Sequence, residues 1–116
     1  MYDIVRFGKS VQDPVRIRVL ACLRGQELCK CELFATLNDV HASRLNVHLE
    51  VLLNAGLIEL GRLGRWTTYR LATAHEAFIE AMFVSFDSDV SWDKDVSNDL
   101  MRLKARLDAR RDGWCA

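Results

Sequence analysis

The apolar pattern changes from a helical to a strand period close to residue 56, and that change limits the fold more than any other feature. From Ala42 to Asn54, the residues Ala42, Leu45, Leu49, Leu52 and Leu53 recur at the spacing of one helical face. "NAG" then closes the helix, with Gly56 suited to a left-handed cap. The next stretch, "LIELGRLGRWTTYRL", holds two strand-like runs, Leu57 to Arg62 and Trp66 to Leu71. Threonine and aromatic residues favour strand in the second run. Gly61 and Gly64 bracket a turn, so the pair reads as a hairpin. A reading of this chain must therefore place a hairpin directly after an amphipathic helix.

The elements before that helix follow from local signals. Ile4, Val5 and Phe7 mark a short helix within Met1 to Ser10. "QDP" is a loop followed by a helix with Pro14 in its first position. Val15, Val19, Leu20 and Leu23 form that helix's stripe, and Gly25 ends it. A short helix with Leu33, Phe34 and Leu37 inward spans Cys31 to Leu37, and "NDVH" is a turn. After the hairpin, Ala74 to Phe86 is helical with Ala77, Phe78, Ala81, Met82 and Phe86 toward one side, and "DSDVSWD" interrupts it. Asp99 to Arg111 is a charged helical tail carrying Leu100, Leu103 and Leu107. At 116 residues this is one domain, 1–116, mainly α with a small β-hairpin.

Helix, turn, helix and basic hairpin in that order make a winged helix-turn-helix. The helix at about 42–54 is the reading helix, and about 57–71 is the wing. A helix fits the major groove of B-DNA and can offer polar side chains to base edges. The face opposite the leucine stripe carries Ser43, Arg44, Asn46, Val47 and His48. Arg62 and Arg65 near the hairpin turn can reach phosphates or the minor groove. The expected partner is double-stranded operator DNA. Sixteen basic and sixteen acidic residues leave no net charge, so sign is segregated rather than absent. Arg62, Arg65 and Arg70 lie together, and Asp87, Asp89, Asp93, Asp95 and Asp99 gather later.

No secretory signal or membrane-length apolar run is visible, and the expectation is a cytoplasmic protein without a membrane partner. Its cysteines, Cys22, Cys29, Cys31 and Cys115, are then expected to be reduced. Thiols paired in a reducing compartment point to metal or metalloid binding, or to redox chemistry. No Cys-x-x-Cys near a βαβ pattern, phosphate-cradling glycine loop or Cys/His/Asn set stands out, so the chain does not read as an enzyme.

"ELCKCEL" followed by "SRLNVHLEVLLNAGLIELGRLGRWTTYRL" resembles the ArsR/SmtB family of metal-sensing bacterial repressors over about residues 14 to 72. The first motif resembles the metal box of the arsenic-responsive branch, and the second the reading helix and wing. The resemblance implies a homodimer paired through its N- and C-terminal helices, here about 1–10 and 74–111. It implies operator binding without inducer and release with it. It implies no permanent cofactor. In the best-known members a third thiolate stands where this chain has Phe34. Where the family opens its reading helix with Ser or Thr, this chain offers His41, with Asp39 or Ser43 as substitutes.

The thiol pair carries a geometric condition of its own. Residues i and i+2 of a helix point about 200° apart, whereas in an extended segment they share a side. Chelation by Cys29 and Cys31 therefore needs the helix start to be extended or to unwind, so ligand binding and the helix-turn-helix conformation compete for the same residues. A helix N-terminus and Lys30 favour thiolates, and Glu32 opposes them. Soft thiolates select thiophilic centres, and As(III) or Sb(III) prefers three sulfurs in a pyramid. The metal ligands expected are Cys29, Cys31 and Cys115, with Cys22 or a solvent ligand as the other source of the third. Cys22, beside Leu20 and Leu23, reads foremost as a small core residue. The expected function is an As(III)/Sb(III)-responsive repressor. Alternatives on the same fold sense Cd(II), Pb(II), methylarsenite or oxidants through the same cysteines. A zinc site on the last helices is not expected, because His75 is the sole histidine there.

Overall fold

Asp13 opens the first core helix. Its carboxylate accepts the Val15 N–H at 2.7 Å, and Pro14 follows in the position where a missing N–H costs nothing. The computed structural model describes residues 1–110. Its elements are α1 (Tyr2–Ser10), α2 (Pro14–Cys22), β1 (Leu28–Cys29), α3 (Lys30–Thr36), α4 (Ala42–Asn54), β2 (Ile58–Leu63), β3 (Trp66–Leu71), α5 (Glu76–Ser85), α6 (Asp87–Ser91) and α7 (Lys94–Asp108). The architecture is the expected winged helix-turn-helix, mainly helical with a small antiparallel sheet.

That sheet has three strands in the order β1-β3-β2, one more than the sequence suggests. β1 is only Leu28 and Cys29, paired with Tyr69 and Thr68 of β3. Leu63 pairs with Trp66, so the wing closes through the two residues Gly64 and Arg65. Gly64 has φ +61, the left-handed geometry that glycine supplies at the first position of such a turn. Gly61 is not in the turn but in β2. A Cβ there would stand 2.9 Å from Thr68 Oγ1 and 3.2 Å from Glu27 Oε1, so the side-chain pair formed by those two residues requires a bare backbone.

The core lies where α2, α4 and α5 converge. Val19, Leu20 and Leu23 of the first segment meet Leu45, Leu49 and Leu52 of α4, then Ile79 and Phe83 of α5. Cys22 is fully buried among them, and burial pushes its thiol up to about 12. It is a core residue. Ala42 lies outside this core and is exposed.

The C-terminal third differs from expectation in its element bounds. The segment after residue 86 forms α6, and α7 begins at Lys94 rather than near Asp99. Asp93 caps α7 by accepting the Val96 N–H at 3.0 Å, which accounts for the earlier start. Residues 74–111 hold the C-terminal helices expected to help pair subunits. Within them, α7 packs on α2 and α3 of its own protomer and buries Val96 and Leu103 there. The exposed apolar face belongs to α5 and α1, where Ile4, Val5, Phe78 and Val84 stand open. Phe7 and Phe78 join those two helices edge to face, with ring centroids 5.0 Å apart.

Candidate functional site

Two regions hold the residues singled out from the sequence. The first is α4 with the wing. His41 is the N-cap of α4, its Nδ1 accepting the Ser43 N–H at 3.2 Å, so the substitute cap works. Ser43, Arg44 and Val47 are exposed and Asn46 is half-buried. Arg62 and Arg65 are exposed toward the wing tip, and the Arg65 guanidinium lies over the Trp66 ring at 5.5 Å. Among the described residues none of Arg44, Arg62 and Arg65 makes an ion pair, which leaves their charge for a polyanion. Arg70 is spent on Glu59 at 3.2 Å.

His48 is a correction. The sequence groups it with the DNA-facing residues, but it is 7 % exposed and turned onto α2. Arg16 Nη1 lies 3.3 Å from its Nδ1, and Asp13 Oδ1 lies 3.8 Å from Nε2. A guanidinium can only donate, so Nδ1 accepts and Nε2 carries the proton. Burial lowers the His48 pKa, Asp13 opposes the shift, and Arg16 and Arg44 add to it. At position 48 the helical turn points toward the domain rather than away from it.

The second region is the cysteine pair, Cys29 and Cys31. Cys29 ends β1 and is the N-cap of α3, with extended backbone at φ −77 and ψ 166. Cys31 is already helical. Because the bend falls between them, the two sulfurs converge at 3.1 Å. The two are not bonded to each other, since a bonded pair stands at about 2.05 Å, and Cys29 is itself disulfide-bonded. The sheet holds Cys29 extended opposite Thr68, while Cys31 lies in the first turn of α3. Cys115 lies outside the described residues. Cys22 is not part of this cluster, and no group of three or more His, Cys, Asp and Glu suited to a metal is present among the described residues.

Glu32 does not face the thiols as a bare charge. It is completely buried, its Oε1 accepts the Cys29 N–H at 3.1 Å, and Arg110 clasps both oxygens at 2.6 and 2.8 Å. Arg106 of α7 approaches from the same side, its Nη2 4.0 Å from Cys31 Sγ. A second ionic cluster lies at the other end of α3. Arg18 Nε and Nη2 donate to Asp99 at 2.7 and 2.8 Å, and its Nη1 and Nη2 donate to Asp39 at 3.2 and 2.7 Å. Arg102 joins it through Asp99 at 2.8 Å and caps α3 by donating to the Thr36 carbonyl at 2.6 Å. Hydrogen bonding from Arg18 holds the Asp39 carboxyl below its usual range, and Asp99 raises the pKa of Arg18. Asp99 is 1 % exposed, so it is an internal counter-ion and not part of the exposed acidic group. The sequence gives no periodic signal for these ion pairs, because their members are up to 81 residues apart.

Residues 13–59 match the family described as bacterial regulatory protein, arsR family. The chain is 32 % identical over 111 residues to the arsenic resistance transcriptional regulator ArsR2 of Pseudomonas putida, covering 92 % of each. It is 35 % identical over 73 residues to a transcriptional repressor SmtB homolog of Synechocystis, covering 63 % of this chain and about half, 54 %, of that one. Among solved structures, the homodimeric winged helix-turn-helix DNA-binding domain Mb0332 of Mycobacterium bovis matches with a TM-score of 0.61 and 25 % identity, over 79 % of this chain and 85 % of that one. The cadmium metal-sensor CMTR of Mycobacterium tuberculosis matches with a TM-score of 0.56 and 32 % identity, over 70 % of this chain and 82 % of that one. No helix among the described residues is long and apolar enough to cross a membrane.

Proposed function

Because this chain belongs to the arsR family of bacterial regulatory proteins, we propose that it is a transcriptional repressor that binds operator DNA as a homodimer and releases it when As(III) or Sb(III) joins the thiolates of Cys29 and Cys31. It is a binding protein rather than an enzyme and acts in the cytoplasm. What supports the reading is the Cys-x-Cys pair at the start of the helix that precedes the reading helix, with Cys29 as its N-cap, together with the family. Each thiol that bonds arsenic displaces one hydroxide of arsenous acid and releases one water. Cys115 is the proposed third ligand.

DNA contact falls to Ser43, Arg44, Asn46 and Val47 on α4 and to Arg62 and Arg65 on the wing. The homodimer is proposed to form through the open apolar faces of α1 and α5. The test is a fluorescence-anisotropy titration of labelled upstream DNA in reducing buffer, with and without arsenite. Wild type is expected to bind and to be released, with a change in affinity of about 5- to 150-fold. Cys31→Ser is expected to bind equally and not to be released, and Cys115→Ser to lose release if it supplies the third sulfur. Loss of DNA binding by Cys31→Ser without ligand would make that cysteine structural and overturn the reading. Release by cadmium but not by arsenite would leave the fold's function intact and replace the inducer.

A further inference from the structure

A buried guanidinium joins three parts of the chain at the turn before the reading helix. We propose that Asp39, held by Arg18, is a positioning residue for operator recognition: it ties the α3–α4 turn to α2 and α7 and so sets how α4 is presented to base edges, without itself touching DNA. This rests on the DNA-binding part of the reading above and is independent of the inducer and of the cysteines.

Arg18 of α2 is 6 % exposed. Its Nε and Nη2 donate to the two oxygens of Asp99 on α7, and its Nη1 and Nη2 donate to the two oxygens of Asp39. The planar fork thus fixes both carboxylates in direction as well as distance. Arg102 of α7 extends the cluster. Its Nη2 lies 3.7 Å from Asp39 Oδ1, and its Nε donates to the carbonyl of Thr36, the last residue of α3. Asp39 stands between that residue and His41, the N-cap of α4.

The turn has little else to hold it. Between Thr36 and Ala42 only Leu37 is buried, and Val40 donates a backbone hydrogen bond to the Leu37 carbonyl at 3.1 Å. Leu45, Leu49 and Leu52 keep α4 on the core, but apolar contacts are not directional. Directional bonds to the rest of the domain reach this turn through Asp39. Ser43, Arg44, Asn46 and Val47 follow within two helical turns of it, so its position is passed on to them directly. Binding groups need support to within about 0.5 Å, and base edges are read by geometry whereas phosphates are met mainly by charge.

The charge of Asp39 gives the proposal a sign. Its side chain is 51 % exposed, and a carboxylate beside a DNA-binding helix repels phosphates. If Asp39 acted by charge alone, its removal would strengthen binding to any DNA. If it positions α4, removal weakens operator binding despite the favourable change in charge. Removal also strands no buried charge, because Arg18 keeps Asp99, which is 1 % exposed.

The experiment uses the full chain without inducer and compares labelled upstream DNA with an unrelated duplex of equal length by anisotropy. Urea unfolding and sedimentation verify that each variant is folded and associates as wild type does. Asp39→Ala is expected to lose about tenfold in operator affinity, the size of one lost base contact, and to bind unrelated DNA no more weakly than wild type. Asp39→Asn carries the same change of charge but keeps an acceptor for Arg18, so it is expected to bind operator about threefold tighter than Asp39→Ala. Operator affinity of Asp39→Ala equal to or above that of wild type overturns the proposal. So does an equal loss on both DNAs, and so does an Asp39→Asn protein no tighter than Asp39→Ala. Should Asp39→Ala not fold, Asp39→Asn decides alone: weaker operator binding with unrelated DNA undiminished supports the proposal, and any other pattern overturns it. Wild type that binds neither DNA, or both equally, defeats the DNA-binding reading itself and this proposal with it, and that result is visible before any variant is made.

Discussion

An imidazole buried beside a guanidinium gives up its proton readily, and that sets how His48 contributes to stability. Its pKa is lowered chiefly by burial, while the unfolded chain takes up the proton at the ordinary 6.5. The stabilisation is therefore present above pH 6.5 and lost as pH falls below it, because the unfolded state then binds more protons than the native one. His48→Gln is expected to cost about 1 kcal/mol at pH 7 and to flatten the acid limb of stability between pH 7 and 5, measured by urea unfolding. Its operator affinity at neutral pH is expected to match wild type, and a selective loss at one base position would return His48 to the DNA face. The sequence misplaces this residue because polarity on a helix is ambiguous where an Arg and an Asp of another helix can satisfy it. Cys22 was readable for the opposite reason: it sits on an apolar stripe and has no polar neighbour in sequence.

Among the elements, those with strong periodicity or punctuation were legible. The bounds of α4 follow from its leucine spacing and Gly56, and β3 from its threonines and aromatics. β1 was not legible, since two residues carry no period, yet it positions Cys29. By pairing that residue with Thr68 it holds it extended directly before the first turn of α3. The wing's role is tested at Arg65, whose exposed guanidinium stacks on Trp66 next to the Gly64 turn. A side chain at the end of a two-residue turn meets backbone phosphates more readily than base edges. Arg65→Ala is expected to weaken operator and unrelated DNA alike, and to reduce the slope of log affinity against log salt by about one. The measurement is a salt series on both DNAs, and a loss confined to the operator would mean that Arg65 reads sequence.

For the whole molecule, zero net charge results from segregation. Arg44, Arg62 and Arg65 stand exposed on α4 and the wing, while Asp87, Asp89, Asp93 and Asp95 are exposed on α6 and the start of α7. A single protomer offers only a few free cations to DNA, and each phosphate contact adds to affinity. Two copies on adjacent half-sites double that number and tie both reading helices to one spacing. The protomer also leaves Ile4 at 70 % and Phe78 at 56 % exposure, the apolar face where α1 and α5 meet through Phe7 and Phe78, with Val84 open farther along α5. Phe78→Glu places a charge in the middle of that face. Its ring now rests on Phe7 at the surface and not in the core, so the protomer is expected to keep its fold and lose about 1 kcal/mol at most. Sedimentation at micromolar concentration is expected to change from dimer to monomer, and operator affinity to fall by at least tenfold. If Phe78→Glu still sediments as a dimer, the pairing surface lies elsewhere. The exposed residues of α7, Leu100 and Met101, would then be the next to substitute. An interface there would lie on the helix that packs on α2 and α3, so substitutions on it would test the fold and the dimer contact together.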